Sequence, residues 1–232
     1  MVRATICNCL DPQYESQSWS ELTLHSERQD TSCDAWRRLL DLVEQSAHDA
    51  LDEFAPRREM SGADWIQIVT LPATIAKLKA VKHLMLYGSN LVRIPPEIGE
   101  MTALEKFTPY TSYRLHYFPY EITRCPKLKE SRVSTRALYG NYKYRPPFPR
   151  LPSISLEGAP EHCSVCAGSF PESGAQQFWV SLRVATDVLP LLVHACSDRC
   201  VRRLPKSAEG SVAEPHQGGL QLKRPSQSLY SP

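Results

Sequence analysis

Three consecutive segments of the chain repeat one pattern of apolar residues. They begin at Leu71, Ile94 and Phe118, so the spacing is 23 and then 24 residues. A unit of this length offers one short strand and one return segment, and neither can bury its apolar face alone. Neighbouring units must therefore stack, and both ends of the stack need a cover. The matching positions are Pro72/Pro95/Pro119, Ile75/Ile98/Ile122, Leu78/Met101/Cys125 and Val81/Leu104/Leu128.

The first repeat is the most specific, and its signature residues are Val81, Leu84, Leu86, Asn90, Leu91, Ile94 and Pro95. It resembles the leucine-rich repeats of the bacterial and plant intracellular type, and the resemblance covers about residues 65–151. The resemblance implies an α/β fold in which short strands stack into a small solenoid. The later units depart from the family pattern, because Pro109 and Ser131 stand where the family has leucine.

A helix precedes the repeats. Apolar residues from Trp36 to Phe54 recur at helical spacing, Asp34 can cap the helix N-terminus, and Pro56 can end it. One face of this helix is apolar and must lie on another element. We therefore expect it to cover the N-terminal end of the repeat stack.

Two pairs of cysteines follow the repeats. Cys163 and Cys166 are separated by two residues, Cys196 and Cys200 by three, and 29 residues lie between the pairs. Two thiolate pairs of this kind can close a tetrahedral zinc site, which leaves no open position and is therefore structural. The surrounding module, residues 161–205, is too small to fold on its core alone, so the metal would supply the missing free energy.

Other residues compete for these roles. His162 and His194 lie beside the cysteines and could each replace one ligand. Cys7 and Cys9, with Cys33, could form a further half-site, although no fourth ligand has suitable spacing. Cys125 lies at a core position of the repeat, so we expect it to act as a small hydrophobic residue.

The segments CSVCAGSFPESG, FWVSL and HACSDRC resemble treble-clef zinc fingers of the TRASH type and of ribosomal large-subunit zinc proteins. The resemblance implies that Cys163 and Cys166 form a knuckle, that residues 178–182 and 191–194 form a hairpin, and that Cys196 and Cys200 open a short helix. This small C-terminal zinc-binding module would cover the other end of the solenoid.

The chain is accordingly expected to contain five parts. They are an irregular N-terminal segment (1–33), the capping helix and connector (34–64), leucine-rich repeats (65–151), a treble-clef-like zinc module (152–205) and a disordered tail (206–232), whose Ser, Gly, Gln and Pro content is typical of disorder.

The strand positions between the core leucines would point to the concave face of the solenoid. Mixed charge with interspersed aromatic residues suits a protein interface, so we expect a protein partner at this face. The predicted partner-binding residues are Lys82, His83, Met85, Tyr87, Lys106, Thr108, Tyr110, Lys129 and Arg132.

A nucleic-acid partner is the alternative. Seven of the ten tyrosines lie between residues 110 and 144, and residues 124–150 contain eight basic residues and one acid. Basic groups attract phosphates and tyrosines can stack on bases. Arg199, Arg202, Arg203 and Lys206 add positive charge beside the second cysteine pair.

Charge, apolar runs and motifs limit the kinds of partner, location and activity that the chain can have. A formal charge of +2 argues against a partner held by global charge alone. The longest apolar run, near Val188 to Val193, is far below the roughly 20 residues that span a bilayer, so we expect a cytoplasmic protein without a membrane partner. Its cysteines would then stay out of disulfides. A phosphate-binding glycine loop, GxSxG and HExxH are all lacking, so we expect no enzymatic activity.

Overall fold

A computed structural model of the chain describes residues 24–140, 147–151, 159–223 and 225. Cys7 and Cys9, and with them the predicted half-site, lie outside the described residues, as do Tyr142 and Tyr144. Within the described part, no helix combines the length and the apolar character needed to cross a bilayer.

Short elements make up a mixed α/β fold. The described α-helices are α1 (Asp34–His48), α2 (Pro56–Glu59), α3 (Gly62–Trp65) and α4 (Asp198–Val201). The strands are β1 (Glu53–Phe54), β2 (His83–Met85), β3 (Lys106–Thr108), β4 (Phe118–Pro119), β5 (Glu130–Ser131), β6 (Gln176–Val184) and β7 (Asp187–Ala195). The 3₁₀ helices are Ala73–Lys77, Pro96–Glu100, Tyr120–Arg124 and Thr135–Ala137.

Four strands form a parallel sheet in the order β1-β2-β3-β5. His83 pairs with Lys106, and Lys106 pairs with Glu130. Neighbouring strands are therefore offset by 23 and 24 residues, which are the repeat lengths in the sequence. Proline suits the start of each preceding 3₁₀ helix, because its φ is fixed and it needs no hydrogen-bond acceptor. The prolines at these N-caps are Pro72, Pro95 and Pro119.

The apolar core lies between this sheet and the 3₁₀ helices. Leu84 of β2 and Phe107 of β3 are completely buried, and so are the three isoleucines that recur in the repeat. Each such side chain contributes about 1.5–3 kcal/mol on burial. The opposite side of the sheet, which carries the alternate strand residues, is not covered by a layer of described elements and stays accessible.

The helix before the repeats is shorter than its apolar spacing predicts. Helix α1 begins at Asp34, with Cys33 rather than Asp34 at the N-cap, and ends at His48. Phe54 does not continue the helix, because it forms β1 and is 2% exposed at the edge of the parallel sheet. The backbone N–H of His83 donates to the Asp52 carbonyl at 3.0 Å, which holds this turn against β2.

A long hairpin forms a second sheet with one strand of the repeat region. Strands β6 and β7 are antiparallel, and β4 pairs with β7 in parallel, in the order β4-β7-β6. Phe118 opposes Leu191 in this pairing. The hairpin that follows the cysteine knuckle is thus hydrogen-bonded to the repeat region and shares its core.

The tip of the hairpin covers the last strand of the parallel sheet. Ser131 of β5 donates its hydroxyl to Asp187 at 2.7 Å, and Thr186 donates to the Ser131 carbonyl at 2.8 Å. A leucine would offer no such donor, which explains the polar residue at this repeat position. An edge that would otherwise leave its backbone groups unpaired is closed in this way.

The first part of the tail packs on the hairpin, although its composition predicts disorder. The N–H of Ala208 donates to Ser181 at 2.8 Å, and Trp179 exchanges backbone hydrogen bonds of 2.7 and 3.1 Å with His216. Leu151 donates to Gln217 at 2.8 Å. The edge of β6 offers unpaired backbone groups that this segment can satisfy, and composition does not reveal such an edge. Residues 226–232 lie outside the described part.

A buried pair of histidines connects the segment before α1 to the repeats. His116 is 1% exposed, hydrogen-bonds the Ala137 carbonyl at 2.7 Å through Nδ1, and places Nε2 3.2 Å from Nε2 of His25. Burial, with the neighbouring His25 and Arg114 charges, lowers the pKa of His116 to about 4 against the opposing Ala137 hydrogen bond. Burial, Arg114 and Arg93 also lower the pKa of His25 to about 4.

We expect these pKa values to make the protein less stable in acid. Between pH 6.5 and pH 4 a histidine of the unfolded chain, with a pKa near 6.5, is protonated while folded His116 stays neutral. The free energy of unfolding is therefore at its full value above about pH 6.5 and falls towards pH 4. His116→Asn should reduce the slope of unfolding free energy between pH 6 and pH 5 by about 1 kcal/mol per pH unit. Urea unfolding at each pH measures this, and equal slopes in both proteins would contradict it.

Candidate metal centre

Four cysteine sulfurs converge at the base of the hairpin. Cys163 and Cys166 lie on the turn before β6, Cys196 directly follows β7, and Cys200 lies in α4. All four sulfurs lie within 4.8 Å of one another. The Sγ atom of Cys196 is 3.6 Å from Sγ of Cys166 and 3.6 Å from Sγ of Cys200.

These distances fit a metal ion at the centre. Metal–sulfur bonds of about 2.3 Å in a tetrahedron place the sulfurs about 3.8 Å apart. The four cysteines are free of disulfides, so every sulfur can act as a thiolate ligand. The structure therefore brings together the two predicted pairs in a cluster that could hold a metal ion, with no coordination position left for a substrate.

The backbone fixes the first pair in a tight loop. The N–H of Cys163 donates to Gly168 at 2.8 Å, and the N–H of Ala167 donates back to Cys163 at 2.9 Å. Ala167 has a φ of 57°, a strained value for a residue with a side chain. Such strain is typical of a backbone that must place particular groups.

Ser164 joins this loop to β7. Its N–H donates to the His194 carbonyl at 2.8 Å, and its hydroxyl accepts from the His194 N–H at 3.0 Å. This reciprocal pair of hydrogen bonds fixes the loop to His194, which is two residues before Cys196 in the chain. Both halves of the cluster are thereby aligned by backbone hydrogen bonds, which spacing alone does not reveal.

The thiols of the cluster differ in pKa. Burial raises the pKa of Cys163, but N–H groups of Cys166, Val165 and Cys196 outweigh burial and lower it to about 7. The Cys196 N–H lies 3.4 Å from Sγ of Cys163. Burial raises the pKa of Cys200 to about 12. A cation is what would make all four thiols ionise together, so binding must release protons.

The competing residues lie elsewhere. Within the described residues, the cluster contains the four cysteines and neither histidine. Nε2 of His194 faces the Gln177 amide at 2.9 Å, and His162 is exposed. The thiol of Cys33 donates to Asp30 at 3.1 Å. Cys125 is buried and donates to the Ile98 carbonyl at 3.2 Å, in agreement with its predicted place in the core.

A residue outside the predicted set fastens the knuckle to the repeats. Arg124, at the end of the third 3₁₀ helix, donates to the Ser164 carbonyl at 2.7 Å and to that of Cys163 at 3.4 Å. The sequence does not reveal this role of Arg124, because its acceptors are backbone carbonyls about 40 residues away.

The nine predicted partner-binding residues lie along the accessible side of the parallel sheet or just beyond the strand ends. Lys106 forms an ion pair with Glu130 at 3.3 Å, and Lys129 pairs with Glu105 at 2.6 Å. His83 contacts the Thr108 hydroxyl at 3.0 Å. The exposed members are Lys82, Tyr87, Lys106, Tyr110, Lys129 and Arg132, and the half-buried ones are His83, Met85 and Thr108.

Comparison with known proteins leaves the two resemblances as sequence-based predictions. No protein-family model matches this chain, and no curated protein matches it either. What can be concluded about function therefore depends on the geometry of the cysteine cluster and of the accessible sheet face.

Proposed function

We propose that the chain is a non-enzymatic protein-interaction module. It is a short leucine-rich repeat solenoid whose ends are covered by helix α1 and by a treble-clef-like module with a structural zinc ion. A partner protein docks on the accessible side of the parallel sheet. The observation that carries the proposal is that this side bears exposed aromatic and charged residues while the other side is buried.

The strand register supports the solenoid. Each repeat contributes a 3₁₀ helix and a strand, and successive strands are offset by one repeat length. Such a stack leaves two open ends. Helix α1 packs on the first 3₁₀ helix, with Lys77 2.7 Å from Glu44, and the hairpin tip closes the other end at Ser131.

The donor set supports zinc. Four thiolates in a tetrahedron are typical of structural zinc sites or of iron–sulfur centres, and the short pairs on a knuckle and a helix suit a single small ion. With four protein ligands the ion has no position for water or substrate. Its role is then to join the knuckle to the hairpin and α4.

The basic cluster near α4 favours a second candidate, binding of nucleic acid. Arg199, Arg202, Arg203 and Lys206 are all exposed. Of the tyrosines predicted to stack on bases, Tyr117 and Tyr139 are buried and cannot do so, whereas Tyr110 and Tyr113 are exposed. Protein binding therefore has the stronger support, and negligible affinity for RNA and DNA at low salt would eliminate the alternative.

Protein docking can be tested by exchanging the two members of each ion pair on the sheet face, which keeps the ion pairs themselves. The variant combines Lys106→Glu with Glu130→Lys and Lys129→Glu with Glu105→Lys, so the net charge is unchanged. We expect a partner captured from nuclease-treated native lysate to be retained at least about tenfold less, because like charges then oppose each other at the interface. Quantitative mass spectrometry of the captured proteins measures the loss.

The control is a matched pair of swaps away from this face. Lys77 pairs with Glu44 at 2.7 Å and Lys79 pairs with Glu100 at 3.0 Å, both involving the helices on the other side of the repeats. Exchanging these two pairs should leave capture unchanged. Equal capture by all three proteins, at equal melting temperature, would refute docking at the sheet face.

A further inference from the structure

Four side chains form a continuous ladder on the accessible sheet face. The guanidinium of Arg57 lies over the Tyr87 ring, 5.7 Å from its centroid, and that of Arg132 lies over the Tyr110 ring at 4.7 Å. The two tyrosine rings are 6.2 Å apart and inclined by 39°. Tyr87 is 44% and Tyr110 37% exposed. Aromatic pairs and stacked guanidinium groups at such distances attract each other.

The backbone prepares a place for the first arginine. Gly88 has a φ of 62°, and its carbonyl accepts from Nη1 of Arg57 at 3.2 Å. A Cβ atom at Gly88 would lie 2.3 Å from that same nitrogen. A side chain at this position would therefore displace the guanidinium, so the absence of one keeps the ladder in place.

The ladder carries positive charge that its surroundings do not neutralise. The ion pairs on this face join other residues: Glu53 pairs with Arg58, Glu105 with Lys129, and Glu130 with Lys106. Among the residues that the structure describes, Arg57 and Arg132 have no carboxylate within ion-pair distance. Their N–H groups remain available as donors, apart from the one that Arg57 gives to Gly88.

The same geometry disfavours stacked bases. A base would need a free ring face, yet one face of each tyrosine is covered by a guanidinium and the rings also adjoin each other. The groups that remain accessible are guanidinium N–H edges and phenol hydroxyls, which suit carboxylate oxygens. A ligand with spaced carboxylates fits this arrangement better than a polynucleotide.

We propose that the Arg57–Tyr87–Tyr110–Arg132 ladder binds an extended acidic segment of a partner protein. Carboxylates of that segment contact the two guanidinium groups, and the chain between them crosses the tyrosine edges. This inference rests on the proposed docking function of the sheet face and adds the chemistry of the partner.

The test uses the full chain and a fluorescent peptide of about ten residues that alternates Glu and Ser, long enough at about 3.3 Å per residue to cross the ladder. Fluorescence anisotropy should show saturable binding that weakens as salt rises. Arg57→Gln with Arg132→Gln should weaken binding at least about tenfold, and Arg57→Lys with Arg132→Lys should restore only part of it, because lysine lacks the planar fork.

Two controls separate the ladder from charge in general. Arg199→Gln with Arg202→Gln removes the same charge from the exposed residues at α4 and should leave peptide affinity unchanged. Gly88→Ala keeps every charge but displaces Arg57, and it should weaken binding. Melting temperature and metal content should stay constant in the arginine variants, since all four arginines are exposed.

Three results would overturn the inference. They are the absence of peptide binding by the wild-type chain, equal losses in the ladder and α4 variants, and tighter binding of a single-stranded oligothymidine at the same ladder. Failure of the peptide test together with a positive charge-swap result would refute the acidic ligand and leave protein docking intact. Failure of both tests would refute docking itself.

Discussion

Cys163→Ser is expected to abolish metal binding and to unfold the C-terminal part of the protein. Cys163 is fully buried, and its sulfur accepts the Cys196 N–H at 3.4 Å. A serine hydroxyl is a poor zinc ligand and cannot complete the tetrahedron. Structural zinc supplies about 10–16 kcal/mol of apparent binding free energy, which is as large as the whole stability of a typical domain. The hairpin should therefore lose its order, and the β5 edge it covers should become exposed.

Elemental analysis and amide hydrogen exchange measure this outcome. Wild-type protein should contain about one equivalent of zinc, and the variant should contain almost none and exchange rapidly in β6 and β7. Cys33→Ser is the matched control, because Cys33 lies outside the cluster and should keep the full metal content. One equivalent of zinc in Cys163→Ser, or none in the wild type, would refute the proposed site.

The cysteine cluster illustrates what local spacing can reveal. The sequence reveals the two short pairs because each pair is fixed by its own turn, and a metal ion held by all four sulfurs would impose one geometry on both. The sequence also predicts the position of Cys125, since a periodic pattern assigns it to the core. The sequence does not reveal the contacts that support the cluster, because the Arg124 guanidinium donates to the backbone carbonyl of Ser164, a group that every residue possesses.

The repeats show the same division between periodic and non-local information. Apolar spacing gives the strands β2 and β3 and the offset that β5 continues, since most repeat positions bury an apolar residue, although β5 carries the polar Ser131. It does not give β1, where Phe54 fits a helical period but gains more by joining the sheet edge. Nor does it give the pairing of β4 with β7, which joins segments more than 70 residues apart.

Trp179→Ala is expected to release the ordered tail while the metal stays bound. The indole is fully buried and donates to the Pro149 carbonyl at 3.0 Å. Its ring lies 5.3 Å from Tyr117, 5.7 Å from Tyr139 and 5.6 Å from Phe148. This aromatic cluster is separate from the core that contains Cys163 and Cys200. Truncation should cost about 3–5 kcal/mol, because it leaves a large cavity.

The tail reaches this cluster through several contacts, and Leu222 also packs on it. Phe148 packs at 4.7 Å on His216, whose backbone bridges to β6. Without the indole, Phe148 loses its support, and the amides of Ala208 and His216 should exchange at least about tenfold faster. Trp65→Ala is the control, because Trp65 is 1% exposed in the other core and its loss destabilises the chain at a distance from the tail. If both variants expose the tail equally at equal stability, or if Trp179→Ala leaves it protected, then Trp179 does not hold the tail on β6.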